Sequence, residues 1–201
     1  MIDNIVFDVG NVLAAFQWEV RFRRYAESEE MLARLAKATV YDYMWTELDR
    51  GVLSNEELLQ GFIRNDPELA PVLEKCMESY EGMIRMYDYA VPWIRALKAQ
   101  GYGVYYLSNM NWNALRDCKE ELACTDETDG GIWSCQVHLV KPEPEIYQLF
   151  LERFCLDPKT CVFLDDSERN IQAARDAGMA GIVFQNQTQA EEELRMLGVR
   201  T

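Results

Sequence analysis

Asn4-Ile5-Val6-Phe7-Asp8-Val9-Gly10-Asn11 is the stretch on which the fold turns. Ile5, Val6 and Phe7 form a continuous apolar run that stops at Asp8 and Gly10. A strand open to water on one face would alternate polar and apolar residues, whereas one covered on both faces needs no polar positions. The same shape recurs downstream: residues 104–107 end at Ser108-Asn109, 162–164 at Asp165-Asp166, and 182–184 at Gln185-Asn186. Helical patterns separate these runs, over 92–100 closed by Gly101, over 113–122, over 143–154, and over 167–177 closed by Gly178. Strand and helix in alternation predict an α/β fold with a parallel sheet covered on both faces.

Residues 16–87 break this rhythm, with apolar residues at helical spacing and no convincing strand. Met31, Leu32, Leu35 and Ala36 share one face. Ser54 and Glu57 form a capping box ahead of Leu58, Leu59, Phe62 and Ile63. A third helix starts near Pro71 and turns Val72, Leu73, Cys76, Met77 and Tyr80 inward. The expected organisation is a catalytic core of 1–15 and 88–201, interrupted by an all-helical cap of 16–87. The insertion follows the first strand directly, so it is placed to cover whatever the turn at Asp8 does.

The totals narrow the function. With 201 residues the chain can bury one core plus a lid, and 49% hydrophobic with 27% charged residues is ordinary for a globular protein. A formal net charge of −14 opposes nucleic acid and anionic membranes, which bind through Lys and Arg. Six cysteines without a Cys-x-x-Cys pair, and His138 as the only histidine, argue against zinc. The first residues carry no basic region ahead of their apolar run, so the expected location is cytoplasmic with reduced thiols. Monomer and homodimer stay open.

In a parallel sheet, ligands bind beyond the carboxyl ends of the strands. Asp8, Ser108, Asn109, Asp165 and Asp166 would meet at that edge, and Lys141, ahead of Pro142-Glu143-Pro144, can reach it. Singly, each has a plainer reading as a strand terminator, a helix cap or a surface lysine. Jointly, FDVGNVL around Asp8, YYLSN ending at Ser108-Asn109, VKPEPEIY around Lys141 and VFLDDSERN around Asp165-Asp166 resemble the four motifs of the haloacid dehalogenase superfamily. The resemblance covers nearly the whole chain and implies a Rossmann-like core with a helical cap. FDVGNVL and the cap stretch LDRGVLSNEE look like bacterial phosphatases acting on sugar phosphates such as glucose 1-phosphate.

A carboxylate can attack phosphorus to give an acyl phosphate that water then hydrolyses, which divides one hard displacement into two easier ones. Asp8 is the candidate nucleophile. Two anions repel, so the approach needs a hard cation with oxygen ligands, and Mg2+ suits the set of Asp8, the Gly10 carbonyl, Asp166 and, beside them or through water, Asp165. Lys141 would neutralise the transferring group, while the Ser108 hydroxyl and the amides near Asn109 would donate to its oxygens. The expected partner is a small phosphorylated metabolite.

Gly10 departs from the superfamily's commonest pattern, which has an aspartate there as general acid. The sugar-phosphate phosphatases that the chain resembles share the Gly-Asn pair, and some carry an aspartate a few residues later, where this chain has Gln17. Two other readings therefore stand: a metal-free 2-haloacid dehalogenase using Asp8, and a degenerate member that binds a phosphorylated metabolite without turnover. Glu19 or a cap residue is an alternative proton source. Trp18, Arg21, Tyr43 and Trp45 are the first cap residues to consider for substrate choice, although aromatics more often fill cores. His138 is expected to have a structural or surface role rather than a catalytic one, and 126–129 with Gly130-Gly131 to be a solvated turn.

Overall fold

A computed structural model describes residues 1–201. In chain order it contains β1 (Asn4–Phe7), β2 (Ala14–Phe16), α1 (Trp18–Phe22), α2 (Glu29–Ala38), α3 (Tyr43–Arg50), α4 (Asn55–Asn65) and α5 (Ala70–Glu78). There follow β3 (Ile84–Met86), α6 (Ala90–Ala99), β4 (Gly103–Ser108), α7 (Trp112–Asp117), β5 (Gly130–Trp133), α8 (Ser134–Val137) and α9 (Pro144–Arg153). The chain ends with β6 (Cys161–Asp165), α10 (Glu168–Asp176), β7 (Ala180–Val183) and α11 (Gln187–Met196).

Five strands form one parallel sheet in the order β5-β4-β1-β6-β7. β1 is central, with Ile5 opposite Val104 on one side and Val162 on the other. That position explains its unbroken apolar run, since Ile5, Val6 and Phe7 are all fully buried. Alternation sends Ile5 and Phe7 into one apolar cluster with Trp93, Ile94 and Leu97 of α6, and Val6 into the opposite one with Tyr147 and Phe150 of α9. The chain leaves β1 for β4 on one side and returns to β6 on the other, so the order of strands reverses at β1 and opens a crevice at its carboxyl end.

The insertion holds five helices. The Ser28 Oγ caps α2 by accepting from Met31 N at 3.1 Å, and the expected capping box of Ser54 and Glu57 begins α4. Leu35, Phe62 and Leu73 of these helices join the cluster that holds Phe7, so insertion and core share one apolar interior.

Three short strands depart from expectation. β2 and β3 pair antiparallel at the root of the insertion, Ala14 opposite Met86 and Phe16 opposite Ile84, inside or beside the stretch expected to be strandless. Three residues are too few to show a period, and the partner lies far away in sequence. β5 replaces the turn expected at Gly130-Gly131. Its glycines are there for space: a Cβ on Gly131 would meet the Tyr106 ring at 2.3 Å, and one on Gly130 would meet Phe154 at 2.7 Å. The helix expected over 113–122 stops at Asp117.

Candidate active site

Asp8 follows β1, still held to the sheet by its amide donating to the Leu164 carbonyl at 2.8 Å. Its side chain is buried, and three donors converge on Oδ1: the Ser108 hydroxyl at 2.6 Å, the Val9 amide at 2.7 Å, and Lys141 Nζ at 3.0 Å. Oδ2 accepts none of these bonds. Burial pushes the Asp8 carboxyl up to about 7, with Lys141 and Ser108 pulling it down and Asp165 pushing it further up. Ser108 reaches Asp8 because β4 and β1 run in register to their carboxyl ends, Phe7 opposite Tyr106.

Lys141 is almost wholly buried and lies 2.6 Å from Asp165 Oδ2. Burial disfavours its charge, but Asp165 and Asp8 more than reverse the effect, so its pKa moves up and it is an ammonium at neutral pH. Asn109 holds the lysine's backbone from both sides, donating from Nδ2 to the Lys141 carbonyl at 3.0 Å and accepting its amide at Oδ1 at 2.8 Å. The side chain of Asn109 is thereby committed to placing Lys141.

The adjacent aspartates have different surroundings. Asp165 has no exposure, and besides Lys141 it accepts from the Ser167 amide at 2.8 Å and from Asn170 Nδ2 at 3.0 Å. Asp166 is exposed and accepts from Asn11 Nδ2 at 2.9 Å. Partial withdrawal of its carboxyl from water raises the Asp166 pKa, the Asn11 bond opposes the rise and Asp165 adds to it.

A cavity of about 150 Å³ opens over this cluster. Its lining includes Asp8, Gly10, Asn11 and Asp166 at one end, and Phe16, Trp45, Met83, Ile84 and Met110 elsewhere. Asp8, Asp165 and Asp166 each offer an oxygen within 4.8 Å of the others. An all-oxygen set fits a hard cation such as Mg2+ rather than zinc.

Of Trp18, Arg21, Tyr43 and Trp45, the insertion residues considered for substrate choice, only Trp45 lines the cavity. Tyr43 is 68% exposed, Trp18 packs on Phe22 and Tyr41, and Arg21 is buried with Nε and Nη2 donating to the Ser79 carbonyl. His138 is exposed, its Nδ1 3.0 Å from the Arg50 carbonyl. Glu19 is exposed, and neither it nor Gln17 lines the cavity.

Two cavity residues carry no clear signal in the sequence. Asn11 lies in the left-handed region at φ 56°, bonded both to Asp166 and, through Oδ1, to the Phe16 amide at 3.2 Å. Asp49, in the stretch LDRGVLSNEE, brings a third carboxyl to the cavity from α3. An acidic residue two before a glycine that ends a helix is a weak signal, because surface helices carry many.

The family model for haloacid dehalogenase-like hydrolase matches residues 2–178. The chain is similar to bifunctional epoxide hydrolase 2 of Mus musculus, 38% identical over 104 residues, which is 49% of this chain and 19% of that protein. It therefore spans about a fifth of the length of that relative. It is similar over 98% of both lengths to D-ribitol-5-phosphate phosphatase of Bacteroides thetaiotaomicron, at 24% identity. Among solved structures, the HAD family enzyme bt-2542 of Bacteroides thetaiotaomicron, in complex with magnesium and inorganic phosphate, superposes with a TM-score of 0.70 at 20% identity, covering 94% of this chain and 99% of that one. L-2-haloacid dehalogenase of Xanthobacter autotrophicus superposes with a TM-score of 0.68 at 17% identity, covering 100% and 85%. At such identities the superpositions show the fold.

Proposed function

This chain belongs to the haloacid dehalogenase-like hydrolases, and we propose that within that family it is a magnesium-dependent phosphatase of small phosphorylated metabolites, sugar phosphates among them. The observation that carries this reading is a charge balance. Asp8, Asp165 and Asp166 gather within 4.8 Å, and Lys141 is the one cation bonded to them, so with all three ionised two negative charges would remain unbalanced. Such a cluster, partly withdrawn from water, calls for a divalent cation. A dehalogenase using Asp8 alone has no use for Asp166 at the cavity.

Asp8, the Gly10 carbonyl and Asp166 would hold the cation, with Asp165 kept behind them by Lys141, Ser167 and Asn170. When bound, Mg2+ supplies the positive charge that lets a carboxylate approach an anionic phosphoryl group. Asp8 attacks phosphorus, the bond to the leaving oxygen breaks, and the phosphoryl group rests on Asp8 until water displaces it. Lys141, bonded to Asp8 Oδ1, lies beside the group so formed and offsets its charge, and Ser108 and the local amides donate to its oxygens. Residues 16–87 act as the cap over a core of 1–15 and 88–201, with Trp45 giving a flat apolar face to a sugar ring. The small cavity favours a compact substrate. No helix is long and apolar enough to cross a membrane, and six unpaired cysteines suit the reducing cytoplasm.

A panel of phosphorylated metabolites assayed with Mg2+ and with a chelator tests the proposal. Chelator-sensitive phosphate release supports it. Chloride release from a 2-haloacid would replace it with the dehalogenase reading, and metabolite binding without release would replace it with a degenerate one.

A further inference from the structure

Gly10 leaves the proposed reaction without a proton for its leaving group. An alkoxide is a poor leaving group unless it is protonated as its bond to phosphorus breaks. Five titratable residues bear on the question: Asp8, Asp49, Tyr80 and Asp166 line the cavity, and Lys141 lies behind it. Asp8 and Asp166 belong to the nucleophile and cation set, and Lys141 is spent on Asp8 and Asp165. Tyr80 is buried, its hydroxyl directed to Met77 Sδ at 3.6 Å, and burial pushes its pKa well above the ordinary phenol range. Asp49 remains, entering from the helical insertion.

We propose that Asp49 is the general acid of this site, donating its proton to the leaving oxygen. The assignment rests on the phosphatase reading above. As Asp8 bonds to phosphorus, the bond from phosphorus to the leaving oxygen breaks, its electron pair stays on that oxygen, and the Asp49 proton moves onto it. Asp49, then a carboxylate, takes a proton from the water that attacks the phosphoryl group on Asp8, which releases inorganic phosphate and restores both side chains.

The carboxyl is held in place by its surroundings. Asn111 Nδ2 donates to Asp49 Oδ1 at 3.1 Å, while Asn111 Oδ1 accepts the Ala114 amide at 2.9 Å, so the amide's orientation is fixed and Oδ2 is left for the proton. The end of α3 is pinned to the core. The Ser134 hydroxyl donates to the Asp49 carbonyl at 2.6 Å, and Arg50 grips Glu143 through two bonds of 2.7 and 2.9 Å. Gly51 turns the chain at φ 72° where a Cβ would meet Cys135 Cβ at 2.6 Å, so the helix end lies against α8 with no spare room. Cys135 of α8 and Tyr80 face Asp49 from neighbouring elements, and Lys141 acts on it through space. Burial pushes the carboxyl up to about 7, with Asn111 and Lys141 opposing, so a large fraction is protonated near neutrality.

The test compares kcat/KM for an alkyl phosphate and an aryl phosphate, whose leaving group needs no proton, in the native chain, Asp49→Asn, and Asp49→Asn with Gly10→Asp. A positioned acid is worth about 10²–10⁴-fold, so Asp49→Asn should lose that on the alkyl ester and less than about tenfold on the aryl ester. Gly10→Asp should restore part of it, because a Cβ at Gly10 meets nothing within 4 Å and its φ lies outside the left-handed region. Equal losses on both esters would make Asp49 merely structural and overturn the assignment. Should Asp49→Asn not fold, the native chain still decides: its alkyl profile should fall above a pKa near 7 that the aryl profile lacks, and identical profiles overturn the proposal. Aryl turnover with no alkyl deficit in Asp49→Asn overturns the assignment and leaves the phosphatase reading standing. Absence of phosphate release from either ester in the native chain overturns both.

Discussion

Asn11 donates from Nδ2 to Asp166 Oδ2 at 2.9 Å, tying the turn after β1 to the turn after β6 across 155 residues of chain. Asn11 also takes the left-handed conformation that few side chains tolerate. Its two roles can be separated. Asn11→Gly keeps the backbone and loses the bond, so Mg2+ affinity measured by calorimetry should fall about 10–100-fold, as it does when a group orienting a metal ligand is removed. Asn11→Ala should do the same and also lower the melting temperature, since alanine tolerates the left-handed region less well than asparagine or glycine. Unchanged affinity in both variants would mean that Asp166 needs no such support.

Asp8→Asn should abolish phosphate release while leaving the melting temperature close to the native value. The amide keeps the shape and an oxygen for Ser108 and the Val9 amide, but it is no nucleophile. Lys141 keeps Asp165 as its counter-ion, so no buried charge is orphaned. Residual turnover above background would move the nucleophile elsewhere.

Magnesium should stabilise the folded chain by mass action, by about 2.7 kcal/mol at a hundredfold excess over Kd. For a chain of this size that is roughly 5–10 °C in melting temperature. The rise should vanish with a chelator and shrink in Asp166→Asn. If instead Asp165→Asn removes the effect and Asp166→Asn spares it, the ligand is the buried aspartate.

The sequence made the sheet and its polar edge legible because β1, β4 and β6 are covered on both faces, and a continuous apolar run ending in Asp8, Ser108 or Asp165 is a strong local signal. It did not disclose β2 and β3, whose three-residue length hides any period, or β5, where glycine serves the rings of Tyr106 and Phe154 rather than a turn. At the site, Asp8, Ser108 and Asp165 are joined by the register of β1, β4 and β6, which sequence order can foretell, and Lys141 reaches them from the turn before α9. Asn109 lines the cavity as its place after β4 leads one to expect, but its side chain is occupied with the Lys141 backbone, a pairing of loops that no spacing predicts. Asp49 depends on how α3 docks against α8, where Gly51 lies close against Cys135 and the Asp49 carbonyl accepts from Ser134, contacts between segments far apart in sequence.

The titration of Asp49 should also be visible in stability. Burial holds its folded pKa at about 7, against about 3.9 for an aspartate in an unfolded chain. Between these values the folded state keeps a proton that the unfolded chain has released, so the unfolded state binds fewer protons and stability falls as pH rises. The loss begins near the unfolded pKa and is complete once pH has passed the folded one. Asn at this position cannot ionise. The stability of Asp49→Asn relative to the native chain should therefore increase from about pH 5 to about pH 8, by a few kcal/mol at most, since a tenfold difference in proton affinity between the two states is worth about 1.4 kcal/mol. Chemical denaturation of both proteins at each pH reads this difference directly, and comparison at the same pH cancels the contributions of Asp8 and Asp166, which both chains share. A difference that stays constant across that range would mean that Asp49 ionises at its ordinary value in the folded chain. It would then be a carboxylate at neutral pH with no proton to give.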